Sequence, residues 1–182
     1  MKLLSPGTQN SRPITDRVKE SLFSVLYKYD LPSGAVVADL CAGVGSLGLE
    51  ALSRGAEFVT FVEKDPMIVG TLNRNIERAG FVEKSKVVRT DAFKAAPMFG
   101  SGEKDYGLVF VDPPYAASEN VQADSPLSGL LDLWVDQVAS GGIVVARTSR
   151  EVSLLDQYGP FQIMERREWG TMAVTILTRC ET

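Results

Sequence analysis

Apolar positions recur along the chain in two patterns, one typical of helices and one typical of buried strands. Four of them return at helical spacing after Thr15, which can cap a helix, and they predict an entry helix over residues 13–30. These positions are Val18, Leu22, Val25 and Leu26. Continuous apolar runs between turn residues instead predict five strands. The runs are AVVADL (35–40), EFVTFVE (57–63), SKVVRTDAF (85–93), GLVFVD (107–112) and GGIVVARTS (141–149).

Three further helices are predicted between these strands. GVGSLGLEALSRG (43–55) is typical of a tight turn that opens a helix and stops at Gly55. DPMIVGTLNRNIERAG (65–80) has an acid at the cap, a proline in the first turn and a glycine at the end. SPLSGLLDLWVDQVA (125–139) predicts another helix, and FQIMERREWGTMAVTILTR (161–179) predicts two strands that fold back around Trp169-Gly170.

The alternation of strands and helices predicts an α/β fold. We expect a mostly parallel, seven-stranded sheet with helices on both faces and an antiparallel C-terminal hairpin at one edge. The 182 residues suit a single domain over 1–182. Within it we expect an N-terminal arm at 1–12, the entry helix at 13–30 and a core at 35–182.

Composition narrows the function classes. Apolar residues make up 45% and charged residues 23%, and no apolar run reaches the length of a membrane helix or a signal peptide, so we expect a cytoplasmic protein without membrane partners. The absence of histidine excludes histidine triads and histidine metal ligands, and we expect no metal. Catalysis must therefore use carboxylates, backbone groups, tyrosine, lysine or a cofactor. Nothing in the sequence suggests a dedicated interface, so we expect a monomer.

A glycine-rich turn follows the first predicted strand. DLCAGVGSLG (39–48) contains the pattern G-x-G-x-x-G at Gly43, Gly45 and Gly48, which lets a ligand approach the backbone closely. Glu63 ends the second predicted strand 20 residues after Gly43, where a carboxylate can accept hydrogen bonds from both ribose hydroxyl groups. The pattern predicts a nucleotide-type cofactor, and dinucleotide dehydrogenases share it.

Two further acids help to distinguish a dinucleotide from another nucleoside-type cofactor. Asp39 ends the first predicted strand just before the turn, where a carboxylate would repel the pyrophosphate of NAD. The same carboxylate suits a cationic ligand, such as the sulfonium and amino acid parts of S-adenosylmethionine. Asp91 follows the third predicted strand and can accept a hydrogen bond from an adenine amino group. Three acids beside one glycine turn favour a nucleoside-type cofactor over acids that only cap loops.

The fourth predicted strand ends in VDPPY (111–115), which combines an acid, two prolines and an aromatic residue. The carboxylate of Asp112 and the carbonyl of Pro113 can accept both N–H groups of a nucleobase amine and direct its lone pair at a methyl group. Pro113 and Pro114 stiffen the backbone, and Tyr115 can stack on a base that has left its helix. We therefore interpret Asp112, Pro113, Pro114 and Tyr115 as catalytic residues rather than as a simple proline turn.

These motifs resemble a known family. DLCAGVGSLGLEAL, VEKD and VDPPY resemble the class I methyltransferases that act on exocyclic amines. RPITDRVKESLFSVL (12–26) resembles the entry helix of the bacterial 16S rRNA guanine-N2 methyltransferase family. The resemblance implies a Rossmann-like fold and methylation of a guanine N2 amine in 16S rRNA or in the assembling small ribosomal subunit. S-adenosylmethionine would be the cofactor and S-adenosylhomocysteine the product.

The resemblance also implies which residues form the site. The cofactor pocket would be lined by Asp39, Cys41, Ala42, Gly43, Gly45, Glu63, Lys64, Asp91, Ala92 and Asp112. RNA would be bound by Arg12, Thr15, Arg17 and Lys19. We expect Cys41 to pack rather than to act as a nucleophile, because a neighbouring acid raises the pKa of a thiol.

Three other function classes remain open from the sequence. The chain could methylate another amine, in DNA adenine, another RNA, a small molecule or a protein glutamine. It could be an NAD(P)-binding oxidoreductase that uses the same glycine turn. It could also be a non-catalytic RNA-binding relative, although the intact VDPPY segment argues against that interpretation.

Overall fold

One eight-stranded sheet organises the part of the chain that the structure describes. The computed structural model describes residues 2–5, 14–94, 105–114 and 119–181. The strands are β1 (Val36–Leu40), β2 (Phe58–Val62), β3 (Ser85–Val88), β4 (Tyr106–Val111), β5 (Val138–Ser149), β6 (Gln157–Tyr158), β7 (Phe161–Trp169) and β8 (Met172–Arg179). Their order across the sheet is β3-β2-β1-β4-β5-β8-β7-β6.

The first five strands run parallel and the last three extend the sheet by antiparallel pairing. The predicted α/β fold with an antiparallel C-terminal hairpin is confirmed. The structure has eight strands rather than seven, because the two residues of β6 pair with the start of β7. A pair of residues carries no periodic pattern, so no signal in the sequence marks this strand.

The described residues form four α-helices, of which the first precedes β1 and the other three lie between strands. They are α1 (Asp16–Leu26), α2 (Ser46–Ser53), α3 (Pro66–Ala79) and α4 (Pro126–Trp134). Thr15 and Asp65 cap α1 and α3 through their side chains, and Gly80 ends α3 in the left-handed conformation. None of the helices in this part of the chain is long and apolar enough to cross a membrane.

Two predicted helices are shorter than the sequence suggests. The entry helix leaves the α conformation after Leu26, continues as a 3₁₀ turn over Tyr27–Tyr29 and stops at the left-handed Asp30. The helix predicted to reach residue 139 ends at Trp134, and Val138 already pairs with Tyr106 as part of β5. The arm predicted at 1–12 lies outside the described residues except for 2–5.

The sheet separates two apolar clusters. On one face, Phe23 of α1 packs against the sheet together with Phe61 and Phe110. On the other face, Trp134 of α4 is buried with Tyr106. Side chains alternate between the two faces of the sheet along each strand. A strand residue therefore lies on the same face as the residue two positions further along.

Gly48 allows α2 to lie directly against β2. A Cβ atom at this position would lie 2.3 Å from Cε1 of Phe61 and 2.9 Å from Cγ1 of Val59. Both neighbours belong to the buried core, so they have little room to move. Glycine at position 48 therefore sets the distance between the helix and the sheet.

Gly48→Ala is expected to lower the free energy of unfolding by about 1–3 kcal/mol, because the added methyl group overpacks the core. Gly70→Ala is the matched control, since Gly70 also lies inside a helix but a Cβ atom added there would meet no neighbour within 4 Å. That variant should gain roughly 1 kcal/mol from helix propensity. Urea denaturation measures both, and equal effects of the two substitutions would contradict the packing argument.

Candidate functional site

Three of the predicted acids share one face and one edge of the sheet. The face that packs against Phe23 of α1 and Leu49 of α2 is called the α1–α2 face. Asp39, Glu63 and Asp112 each lie two residues after a strand residue of this face, and those strand residues are Val37, Phe61 and Phe110. Because side chains alternate, all three carboxylates belong to that face at the carboxyl ends of their strands. The connections from β1 and β4 leave in opposite directions across the sheet, which is where ligands bind in open α/β folds.

Asp39 caps α2 from the neighbouring strand. The backbone N–H of Gly48 donates a hydrogen bond of 2.9 Å to Oδ2 of Asp39, whereas the cap residue Gly45 provides no side-chain acceptor. Asp39 is 1% exposed, and this burial raises its pKa well above the ordinary value. The Gly48 hydrogen bond opposes the rise, while the charges of Asp112 and Glu63 add to it. The site thus holds a buried acid whose charge a cationic ligand would stabilise.

Glu63 connects the end of β2 with the glycine turn. Its Oε2 atom accepts a hydrogen bond of 3.0 Å from the N–H of Gly43. Its Oε1 atom accepts hydrogen bonds from the N–H groups of Lys64 and Asp65, at 2.9 and 3.0 Å. Each carboxylate oxygen has two lone pairs, so Oε2 retains capacity for a further donor such as a hydroxyl group.

Cys41 lies where β1 turns into the glycine segment. Its backbone is left-handed, with φ of 60°, which is uncommon for a residue with a side chain. Burial is the main reason that the pKa of its thiol rises to about 12, and the charges of Glu63, Asp112, Asp39 and Asp91 add to the rise. A neutral thiol is a weak nucleophile, which agrees with the packing role expected from the sequence. The adjacent Ala42 is buried.

Asp91 follows β3 as predicted and is held by its own loop. Its Oδ1 atom accepts a hydrogen bond from Phe93 N–H at 3.2 Å, and Oδ2 lies 3.6 Å from Nζ of Lys64. The neighbouring Ala92 is buried, and its carbonyl accepts a hydrogen bond of 3.2 Å from Nε1 of Trp134. Trp134 therefore ties this loop to α4, in addition to its place in the core.

Asp112 follows β4 directly, and its position is fixed by both neighbouring strands. Its N–H donates to the carbonyl of Leu40 at 3.3 Å, and its Oδ1 atom accepts a hydrogen bond of 2.5 Å from Nε of Arg147 on β5. Pro113 is buried and Pro114 is exposed. Tyr115 lies outside the described residues.

Arg147 is a residue of the site that was not predicted from the sequence. The residue directly follows the apolar segment IVVA. No local pattern connects it with Asp112, which is 35 positions away. Its signal is the parallel register, since Val111 pairs with Ala146 and the next residues along both strands are Asp112 and Arg147.

Asn75 is a second residue near the site that was not predicted from the sequence. This fully buried side chain of α3 accepts a hydrogen bond from Leu4 N–H at 2.8 Å and donates to the Leu4 carbonyl at 3.2 Å. It also donates to the carbonyl of Val44 in the glycine turn at 3.1 Å. One amide group therefore holds the N-terminal segment and the turn together.

The predicted RNA-binding residues lie at the start of α1, except Arg12, which is outside the described residues. Thr15 and Arg17 are exposed. Lys19 is 12% exposed at its side chain and lies 3.1 Å from Asp16 and 3.6 Å from Glu50, so it forms ion pairs within the chain. Helix α1 runs along β7, because Ser21 of the helix and Trp169 of the strand line the same groove. The first turn of α1 therefore lies toward the edge of the sheet that carries Asp112.

Among the described residues, no group of three or more cysteine, aspartate or glutamate side chains is arranged to hold a metal ion. The chemistry of the acids instead fits an organic cation. Asp39, Glu63 and Asp112 place negative charge beside a glycine turn that a bulky ligand can approach.

Comparison with known proteins identifies relatives over most of the chain. The family model described as "Conserved hypothetical protein 95" matches residues 1–178. A Bacillus subtilis (strain 168) protein, YlbH, which is named as a candidate rRNA methyltransferase, is 34% identical over 92% of this chain and 87% of its own length. The ribosomal RNA small subunit methyltransferase D of Escherichia coli (strain K12) is 37% identical over 63% of this chain and 54% of its own length.

A solved structure shows the same fold. The Escherichia coli protein yhhF, which is described as a candidate methyltransferase, superimposes with a TM-score of 0.77 and 26% identity. The match covers 99% of this chain and 92% of that chain. The Rossmann-like methyltransferase fold expected from the sequence is therefore confirmed.

Asp39→Asn is expected to stabilise the ligand-free protein while weakening cofactor binding. A raised pKa means that the folded state binds more protons than the unfolded state, so the stability of wild type falls as pH rises through the pKa of Asp39. Asparagine keeps an acceptor for Gly48 and removes the buried charge. We expect the melting temperature at pH 7 to rise by about 2–4 °C, or roughly 1 kcal/mol, and its pH dependence to weaken.

Calorimetric titration of the same variant with S-adenosylmethionine should show at least about tenfold weaker binding. Asp65→Asn is the control, because Asp65 also caps a helix but is exposed, and asparagine is an equally good cap. A lower melting temperature for Asp39→Asn at pH 7 would show that the charge of Asp39 stabilises the fold, contrary to this prediction.

Asn75→Ala is expected to destabilise the fold by about 2–3 kcal/mol, because it leaves the amide and carbonyl of Leu4 and the carbonyl of Val44 without a partner. Asn73→Ala, at an exposed position of the same helix, should change stability by less than about 0.5 kcal/mol. Urea denaturation separates the two cases. Similar values for both variants would contradict the role of Asn75 in holding the N-terminal segment to the glycine turn.

Proposed function

The chain belongs to the family described as conserved hypothetical protein 95, and on this basis we propose that it is an S-adenosylmethionine-dependent RNA methyltransferase. We propose further that its target is the exocyclic N2 amine of a guanine in 16S rRNA. The names of its relatives support an rRNA substrate, since one is a ribosomal RNA small subunit methyltransferase. The choice of guanine N2 rests on the sequence resemblance.

The observation that carries this proposal is the position of Asp112. It follows β4 at the switch point of the sheet, on the same face as Asp39 and Glu63. A reacting amine held by Asp112 would therefore lie beside a ligand held by the other two acids. Closeness and orientation of this kind can provide much of the rate acceleration of a group transfer.

When bound, S-adenosylmethionine would supply an electrophilic methyl group on a positively charged sulfur. We propose that Asp39, Gly43, Gly45, Glu63 and Asp91 hold the cofactor, with Cys41, Ala42, Lys64 and Ala92 lining the pocket. Asp112 closes the pocket toward the substrate. Asp39 and Glu63 offer carboxylate oxygens, and the turn offers backbone that a ligand can approach.

Asp112 would act on the amine of the target base. An arylamine is a poor nucleophile because its lone pair is delocalised into the ring. One carboxylate oxygen and the carbonyl of Pro113 would accept the two N–H groups, so that the lone pair points at the methyl carbon. Methyl transfer would form the N–C bond and break the C–S bond, and the amine would lose one proton to the solvent or to the carboxylate of Asp112. Tyr115 is the residue we propose to stack on the base, and Pro114 stiffens the segment.

The capping of α2 argues against the dinucleotide interpretation. In a dinucleotide site, the free N–H groups at the start of this helix bind the pyrophosphate. Here the Gly48 N–H already donates to Asp39, and the carboxylate places negative charge at that position. An anionic pyrophosphate would lose a donor and meet a repelling charge.

Four residues at the start of the chain are proposed to contact the RNA. They are Arg12, Thr15, Arg17 and Lys19. The exposed Arg17 is available to a phosphate, whereas Lys19 would have to leave Asp16 and Glu50. We propose that the protein acts as a monomer in the cytoplasm, on free rRNA or on the assembling subunit.

The proposal is tested by transfer of a labelled methyl group from S-adenosylmethionine to naked 16S rRNA, to small ribosomal subunits and to DNA. Mass spectrometry of digested rRNA from cells with and without the protein then identifies the modified nucleoside. We expect N2-methylguanosine to be lost at one position. Activity on DNA alone, or an unchanged rRNA digest, would exclude this function.

Asp112→Asn should reduce methyl transfer at least about 100-fold, because an amide accepts the substrate N–H group less strongly and carries no charge. Binding of S-adenosylhomocysteine should change by less than about threefold. Asp132→Asn, at an exposed position of α4, is the control and should keep full activity. If Asp112→Asn loses cofactor binding and activity in parallel, the residue acts in the cofactor pocket rather than on the amine of the target base.

A further inference from the structure

Arg147 and Asp112 form an ion pair at the centre of the proposed site. The Nε atom of Arg147 lies 2.5 Å from Oδ1 of Asp112, and the two side chains are 13% and 19% exposed. A charge-assisted hydrogen bond at this degree of burial is stronger than an exposed surface pair. The pair is therefore part of the site and not of the solvated surface.

The pairing follows from the register of two parallel strands. Val145 lies on the α1–α2 face, so Arg147, two positions later, belongs to the same face as Asp112. Val111 pairs with Ala146, which makes Asp112 and Arg147 neighbours at the ends of their strands. The backbone of Arg147 is held on its other side by β8, where it pairs with Val174. Both members of the pair thus stand on rigid strands.

We propose that Arg147 is a positioning residue, which holds the Asp112 carboxylate through Oδ1 and leaves Oδ2 to the incoming amine. In the described part of the chain, Oδ1 accepts the hydrogen bond from Arg147 and no residue donates a hydrogen bond to Oδ2. The inference rests on the proposed function for the identity of the amine, but the pair itself does not depend on it.

The charges around Asp112 explain why such a residue is needed. The titratable and charged groups that interact with Asp112 are Asp39 on β1, Cys41 in the turn and Arg147 on β5. Burial raises the pKa of Asp112, and Arg147 opposes that rise through its charge and its hydrogen bond. Without the arginine, the carboxylate would take up a proton at a higher pH and would lose its acceptor character.

The test compares Arg147→Met, which keeps the length of the side chain without its charge, with Arg147→Lys, which keeps the charge without the Nε hydrogen bond. Carbon NMR of protein labelled at aspartate side chains follows the carboxyl carbon of Asp112, which is assigned by its absence in Asp112→Asn. We expect Arg147→Met to raise the apparent pKa of Asp112 by about one to three pH units and Arg147→Lys to raise it less. Arg150→Met is the control, since Arg150 is 61% exposed and pairs with Glu168, and it should cause no shift.

The pH dependence of methyl transfer provides the second measurement. Its acidic limb should move to higher pH in Arg147→Met by the same amount as the NMR titration, whereas a purely structural arginine would lower the rate equally at all pH values. An unchanged Asp112 titration in Arg147→Met would overturn the inference. If Arg147→Met does not fold, the same comparison is made between Arg147→Lys and wild type.

The two proposals fail in different ways. If wild-type protein shows no methyl transfer to rRNA, the proposed function is wrong, and the NMR titration still decides whether Arg147 controls Asp112. If methyl transfer occurs but neither the titration nor the pH profile responds to Arg147, the proposed function stands and the positioning role is excluded.

Discussion

The hydrogen bond from Gly48 to Asp39 determines how the glycine turn is built. It joins the end of β1 to the start of α2, so the chain between them has to turn within a few residues. Cys41, Gly43 and Gly45 all have positive φ in that turn. Gly48 also brings α2 against β2, where the contact with Phe61 excludes any side chain at position 48. Gly48 thus serves the cap and the helix packing together.

This arrangement buries negative charge in the site. Asp39, Glu63 and Asp112 lie on one face, and in the described residues Arg147 is the cation that the structure places in direct contact with Asp112. Charge that is not fully paired is costly in a buried site. The ligand-free protein is therefore less stable than its fold would allow, which is common where binding demands a particular charge.

The sequence predicts the backbone of this site better than its side-chain partners. Asp39, Glu63 and Asp112 could be placed because they end strands, and strand ends are marked by local apolar runs and turn residues. Glycine and proline marked the turns for the same local reason. The end of the helix at Trp134 could not be placed, because VDQVA continues the apolar pattern without a breaking residue although Val138 pairs with Tyr106.

Arg147 and Asn75 depend on contacts between distant segments. The partner of Arg147 is set by the alignment of β4 with β5, and that of Asn75 by the path of the N-terminal segment across α3. Neither has a signature in its own neighbourhood, since Asn75 resembles an ordinary polar helix residue. Residues of this kind become visible only when the strands and segments are assembled.

The hydrogen bonds that Asn75 forms with Leu4 and Val44 have a practical consequence for work with this protein. Both backbone groups of Leu4 are bound to a side chain that also holds the glycine turn, so the path of the chain at its fourth residue is transmitted to the proposed cofactor site. A purification tag or a fluorescent fusion placed before Leu4 would disturb the hydrogen bonds between Leu4 and Asn75. The outer strand β6 lies at the opposite edge of the sheet from β3, so a label attached there would leave this connection undisturbed.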